Sequence, residues 1–169
     1  MNPAQEVPPV YRAPMRSRRD DVGSGAGTVR GLAEGVCGLG GAVDPPPDDL
    51  DDAVALVARA HDGRTARRLR RFAEVPDGAF VWAREADGAY RLGRLTGPWR
   101  YDTSTAAREA DLVHVRDCEW LPDPVPEPEV PAGTLRTYAR GGRNFQQTHD
   151  AGIGAQTLAA WRAAAARAR

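Results

Sequence analysis

The stretch from Gly78 to Leu121 constrains this chain most. It reads GAFVWAREADGAYRLGRLTGPWRYD, then a polar insert over 102–111, then LVHVRDCEWL. Phe80 and Trp82 alternate with Val81 and Ala83, which is the two-residue period of a strand. Asp87-Gly88 is the dipeptide favoured by type I′ hairpin turns. The pattern predicts strands over 79–84 and 89–96 joined at that turn. Gly97-Pro98 makes a corner, with Trp99 and Tyr101 on either side of Arg100. A third strand over 112–117 leads into Trp120. Such a run folds as a small β-barrel with aromatic and arginine side chains gathered at one corner.

Helical patterns precede it. Pro45-Pro46-Pro47 followed by Asp48-Asp49 is a helix start, with further Asp in the first turn favourable to the helix dipole. Leu50, Val54, Val57 and Ala58 share one face of that helix, and His61 continues the face as a packing or capping residue. Gly63 interrupts, and a second helix is predicted over 64–74 with Ala66, Leu69, Phe72 and Ala73 as its buried stripe. Arg64, Arg68 and Arg71 fall on another face, with Arg67 and Arg70 nearby. Two readings fit: a solvated face balanced by the acidic helix before it, or a phosphate-contacting helix. Residues 28–43 hold glycines at 31, 35, 38, 40 and 41, and predict a short helical turn followed by a buried strand around Val36–Leu39. Their spacing matches neither a GxGxxG fingerprint nor a P-loop, and close backbone approach is the better account.

At 169 residues the chain predicts one domain. Its formal net charge is zero, so whole-chain charge assigns no partner. The distribution is uneven. Every basic residue is Arg; nine Arg lie between Arg64 and Arg100 against Glu74, Asp77, Glu85 and Asp87, and six lie beyond Pro131 against Asp150 alone. Acids concentrate in 44–62 and 102–130. Cys37 and Cys118 have no paired spacing, and with His61, His114 and His149 scattered they predict buried free thiols and no metal site. The beginning of the chain has no apolar h-region, and no run approaches a membrane span, so a cytoplasmic location is expected.

Residues 1–27 are rich in Pro, Arg, Gly and Asp and are expected to form a disordered tail, in which the run Arg16-Ser17-Arg18-Arg19 could touch phosphates but is followed at once by Asp20-Asp21. Pro122 to Pro131 holds five prolines in ten residues and predicts an extended strap. A helix or turn over 133–140, a last strand within 143–149 and a C-terminal helix over about 155–168, with Leu158, Trp161 and Ala165 on one face, complete an α+β chain. The domain is expected over 28–150, with 151–169 as the C-terminal helix.

This order of elements resembles the PUA-like superfamily, in particular EVE-like domains joined to Mrr-type and McrB-type restriction proteins. The similarity is carried by VCGLGG, FAEVPDGAFVWAR, LGRLTGPWRYD and HVRDCEWL, and covers about residues 28–149. It implies a pseudo-barrel with flanking helices that binds nucleic acid and holds a flipped, modified DNA base in an aromatic pocket. Aromatic faces would replace the stacking lost by the base, and arginines would hold the backbone beside it. It also implies a role in bacterial defence and a nuclease acting in trans. Leu39 stands where many such domains carry an aromatic residue, and Ala79 where the strand would open on an acid.

The candidate nucleic-acid contacts are Trp99, Tyr101 and Trp82 for the base, Leu39 beside them, and Arg94, Arg100, Arg64, Arg68, Arg71 and Arg143 for phosphates. Trp82 has a competing reading as core. Arg140 and Arg143, around Gly141-Gly142, suit a clamp. Trp120 and His114 are expected to be structural, and Arg116 to pair with a neighbouring acid. PUA-like barrels also serve RNA, so RNA is the alternative target, and a protein-interaction module using the Pro strap and terminal helix is a further one. Ser17, Ser24 and Ser104 lie outside any nucleophile motif, so no catalysis and no cofactor are expected.

Overall fold

The computed structural model describes residues 6–169. Seven strands form one curled half-barrel sheet: β1 (Val10–Arg12), β2 (Val36–Leu39), β3 (Phe80–Arg84), β4 (Tyr90–Leu95), β5 (Arg100–Tyr101), β6 (His114–Trp120) and β7 (Gln146–Gln147). Their order is β2-β6-β4-β3-β1-β7, with β5 paired to β6. Only β1 and β3 run parallel; the other pairings are antiparallel. Six helices flank the sheet: α1 (Ala26–Glu34), α2 (Leu50–Ala60), α3 (Gly63–Glu74), α4 (Thr105–Ala110), α5 (Ala132–Ala139) and α6 (Ile153–Arg167).

The alternation in β3 divides the core as its sequence implies. Val81 and Ala83 face the inner cluster with Cys37, Leu95, Val115 and Phe72. Phe80 and Trp82 face the outer one, where Val10, Leu92, Ile153 and Ala160 pack. The terminal helix α6 therefore belongs to the core. Both cysteines are buried free thiols, and burial pushes the Cys37 thiol up to about 12. Asp49 and Asp62 cap α2 and α3, accepting from the backbone N–H of Asp52 and Thr65. Among the described residues, no helix is long and apolar enough to cross a membrane.

Four expectations need correction. Residues 6–27 are not a free tail: Val10–Arg12 pair with Phe80–Trp82, Ala13 and Met15 are buried, and α1 begins at Ala26. A three-residue strand gains its stability from long-range pairing and packing, which local composition does not report. The first five residues of the expected tail lie outside the described ones. The hairpin is not type I′. The N–H of Gly88 donates to Glu85 O, Gly88 has φ 93° and Asp87 is not left-handed, so the turn is the longer kind closed by a glycine bulge. The insert contains α4, capped by Ser104 Oγ accepting from Ala107 N. Finally, the third strand begins at His114 and runs on to Trp120.

Candidate nucleic-acid interface

A cavity of about 470 Å³ opens where the glycine-rich end of β2 meets α2, α3 and the segment after β1. Gly38 in β2 leaves no room for a side chain, since a Cβ there would lie 2.5 Å from His114 O. Gly41 takes φ 103°, which L residues rarely adopt. These positions let the backbone of 38–42 form a wall directly. Met15, Leu39, Val57, Leu69 and Phe145 give the cavity its apolar lining.

Its rim is basic. Arg16, Arg18, Arg19, Arg68 and Arg143 surround it, against Asp62 and Asp111. Arg18 donates to Asn144 Oδ1 at 2.8 Å, and Arg19 pairs with Asp21 and donates to Arg108 O. Arg16, Arg68 and Arg143 have no acidic partner or side-chain hydrogen bond among the described residues. Partial burial, then the nearby charges of Arg18, Arg64 and Arg71, hold the Arg68 guanidinium below its ordinary value, with Asp62 opposing. An anion placed there would relieve that crowding.

Asp111 joins the walls. Its Oδ2 accepts from Ser17 Oγ–H at 2.5 Å and its Oδ1 from Gly41 N–H at 3.2 Å. Ser17 Oγ in turn accepts from Arg19 N–H at 3.0 Å. The segment carrying Arg16, Arg18 and Arg19 is thereby fastened across the cavity. His114, 1% exposed, is fixed at both nitrogens: Nε2–H donates to Gly41 O at 2.9 Å, and Nδ1 accepts from Trp99 Nε1–H at 3.3 Å. Burial depresses the imidazole to about 4.

Of the residues singled out in the sequence, Leu39, Arg68 and Arg143 meet at this cavity. Trp99 and Tyr101 do not line it. Trp99 gives its N–H to His114, and Tyr101 OH accepts from Val43 N–H and donates to Val43 O, so both brace the wall from behind. Trp82 is 1% exposed and donates to Thr157 Oγ1, which makes it core. Arg94 lies over the rings of Phe80 and Trp161 at 5.4 and 5.6 Å. Arg100 pairs with Asp117 at 2.6 Å. At the 99–101 corner the polar atoms of both aromatic side chains are engaged within the protein, and His114 lies 6.1 and 5.2 Å from their ring centroids. Arg64 is exposed beside the cavity end of α3. Arg71 lines a second groove of about 450 Å³, and that groove shares Phe145 with the cavity.

Sequence reasoning missed Asp111 and Phe145, and placed Arg16, Ser17, Arg18 and Arg19 in a disordered tail. Ser17 and Asp111 are separated by 94 positions, and no local pattern links them. The closest signal was the Arg16-Ser17-Arg18-Arg19 run itself. A further depression is lined by Arg12 and Arg140: the Arg12 guanidinium donates to Thr137 O, Gly141 O, Asn144 O and Gln146 Oε1, and Arg140 Nε donates to Arg136 O.

No protein-family model matches the chain, and neither a curated protein nor a solved structure is similar to it.

Proposed function

We propose that this α+β half-barrel is a PUA-like, EVE-like nucleic-acid-binding module that takes one extruded base into the cavity between β2 and α3. The observation carrying this reading is the union of a cavity with an apolar lining and a basic rim on which Arg16, Arg68 and Arg143 have no acidic partner among the described residues. A base removed from its stack needs flat apolar surface on its faces. Its flanking phosphates need cations that are not already paired. Met15, Leu39 and the part of Phe145 not stacked on Tyr11 supply apolar contact; Arg16, Arg68 and Arg143 supply the second. The exposed Arg64, Arg67 and Arg71 extend the basic face along α3. A 470 Å³ cavity is within the range of small-ligand sites.

The resemblance of LGRLTGPWRYD and HVRDCEWL to EVE-like domains makes modified DNA the target of choice and bacterial defence the setting. The module itself performs no catalysis in this reading. Ser17 Oγ–H and both ring nitrogens of His114 are engaged in holding the cavity walls. Cleavage would fall to a nuclease acting in trans.

Fluorescence polarisation decides it. The protein is titrated with unmodified duplex, duplexes carrying 5-methylcytosine, 5-hydroxymethylcytosine, N6-methyladenine or phosphorothioate, and an RNA of the same sequence, at two salt concentrations. Tighter binding to one modified duplex, lost in Arg68→Ala, supports the proposal. Preference for RNA would move the target class, and no binding at low salt would refute it.

A further inference from the structure

We infer that Asp111 makes the cavity selective for a base bearing an exocyclic amino group, excluding thymine and uracil; this rests on the nucleic-acid reading above. Asp111 is an odd residue for its place. It caps the C-terminus of α4 with φ 48° and ψ 51°, a left-handed conformation suited to Gly or Asn. A carboxylate at a helix C-terminus also opposes the helix dipole. Asp, like Asn, tolerates that conformation, so it is the acid at the helix end that remains to be accounted for, and non-glycine residues held left-handed concentrate at binding sites.

What Asp offers is acceptor capacity. Its Oδ2 accepts from Ser17 Oγ–H and its Oδ1 from Gly41 N–H, and an Asp oxygen can accept more than one hydrogen bond. It lines the cavity together with Asp62, against the arginines of the rim. An amino group of cytosine, adenine or guanine can donate to it. Thymine and uracil present one N–H flanked by two carbonyl oxygens, whose negative ends would face the carboxylate. The arginines at the rim hold phosphate whichever base enters, so affinity and selectivity reside in different residues.

The experiment uses duplexes with one bulged nucleotide, dC, dA or dT, and a fourth with an abasic bulge that measures backbone binding alone. The wild-type protein is expected to bind the dC or dA bulge about tenfold tighter than the dT and abasic bulges. Asp111→Asn suits the left-handed position and is expected to bring the dC, dA and dT bulges within about twofold of one another, the readout being the ratio between bases and not the absolute affinity. Equal wild-type affinity for all four overturns the role of Asp111 and leaves the nucleic-acid reading intact; this comparison needs no variant. A uniform loss in Asp111→Asn would make Asp111 a structural clamp and also overturn the inference. Absence of binding to every duplex overturns both readings together.

Discussion

The indole N–H of Trp99 donates to Nδ1 of His114 across 3.3 Å, with the two rings stacked at a centroid separation of 6.1 Å. With Nε2–H bonded to Gly41 O, the imidazole is locked as one neutral tautomer. His114 thereby ties the β5 corner to the glycine wall of the cavity.

That neutrality sets a pH dependence. The ring's pKa is about 4 in the fold, first because of burial, against an ordinary 6.5. As pH falls below 6.5 the unfolded chain takes up a proton that the folded chain refuses. Stability is therefore full above pH 6.5 and declines towards pH 4, by up to roughly 3 kcal/mol. Asp62, held below its ordinary 3.8 chiefly by the N–H of Thr65, adds its own loss only at lower pH. Urea unfolding at pH 5 and pH 7 checks the slope, and an NMR titration of the His114 ring checks its source. A ring titrating near 6.5 would contradict the assignment.

Trp99→Phe should cost about 1–2 kcal/mol, because it leaves Nδ1 of His114 buried without a donor. The same change should leave affinity for nucleic acid within about twofold, since Trp99 does not line the cavity. Denaturation and binding measured on one preparation separate the two effects. A stable variant that has lost binding would return the base site to the aromatic corner.

How far the sequence was legible follows from range of interaction. The helix start at Asp48-Asp49 and the two faces of β3 were readable because each is a local signal. Leu39, Arg68 and Arg143 were recognisable as candidates by residue type and setting. The partners of Trp99 and Tyr101 were not, for spacing says which side chains point the same way and not whether protein or ligand will meet them. Residues 10–19 were misread because three strand residues between prolines carry no period. Their order comes from β3, from Asp111 and from Asn144, all distant in the chain.

Salt dependence tests the α3 face. Arg68→Ala, Arg71→Ala and Arg64→Ala should each reduce the slope of log affinity against log salt by about 1 if each arginine meets a phosphate. Arg100→Ala should leave the slope unchanged, as Arg100 is paired with Asp117. Equal effects at all four positions would indicate a diffuse field rather than a defined interface.

Arg116 is the residue on which the orientation of that face depends. It is 2% exposed, and its guanidinium donates to Gly97 O, Phe72 O, Val75 O and Asp77 Oδ1 at 2.8, 3.0, 2.6 and 2.8 Å. Phe72 and Val75 stand at the C-terminus of α3, where carbonyls lack helical partners and a cation is favoured. The pairing with an acid read from the sequence is present, yet Asp77 is 67% exposed at its side chain and should contribute under about 1 kcal/mol. The carbonyls are the stronger attachment. Arg116→Lys keeps the charge but cannot span four acceptors in one plane, and should cost about 3–5 kcal/mol. Asp77→Asn should be nearly neutral. Thermal melts of the two variants side by side distinguish the accounts: comparable losses would mean that the ion pair, and not the capping of α3, secures Arg116.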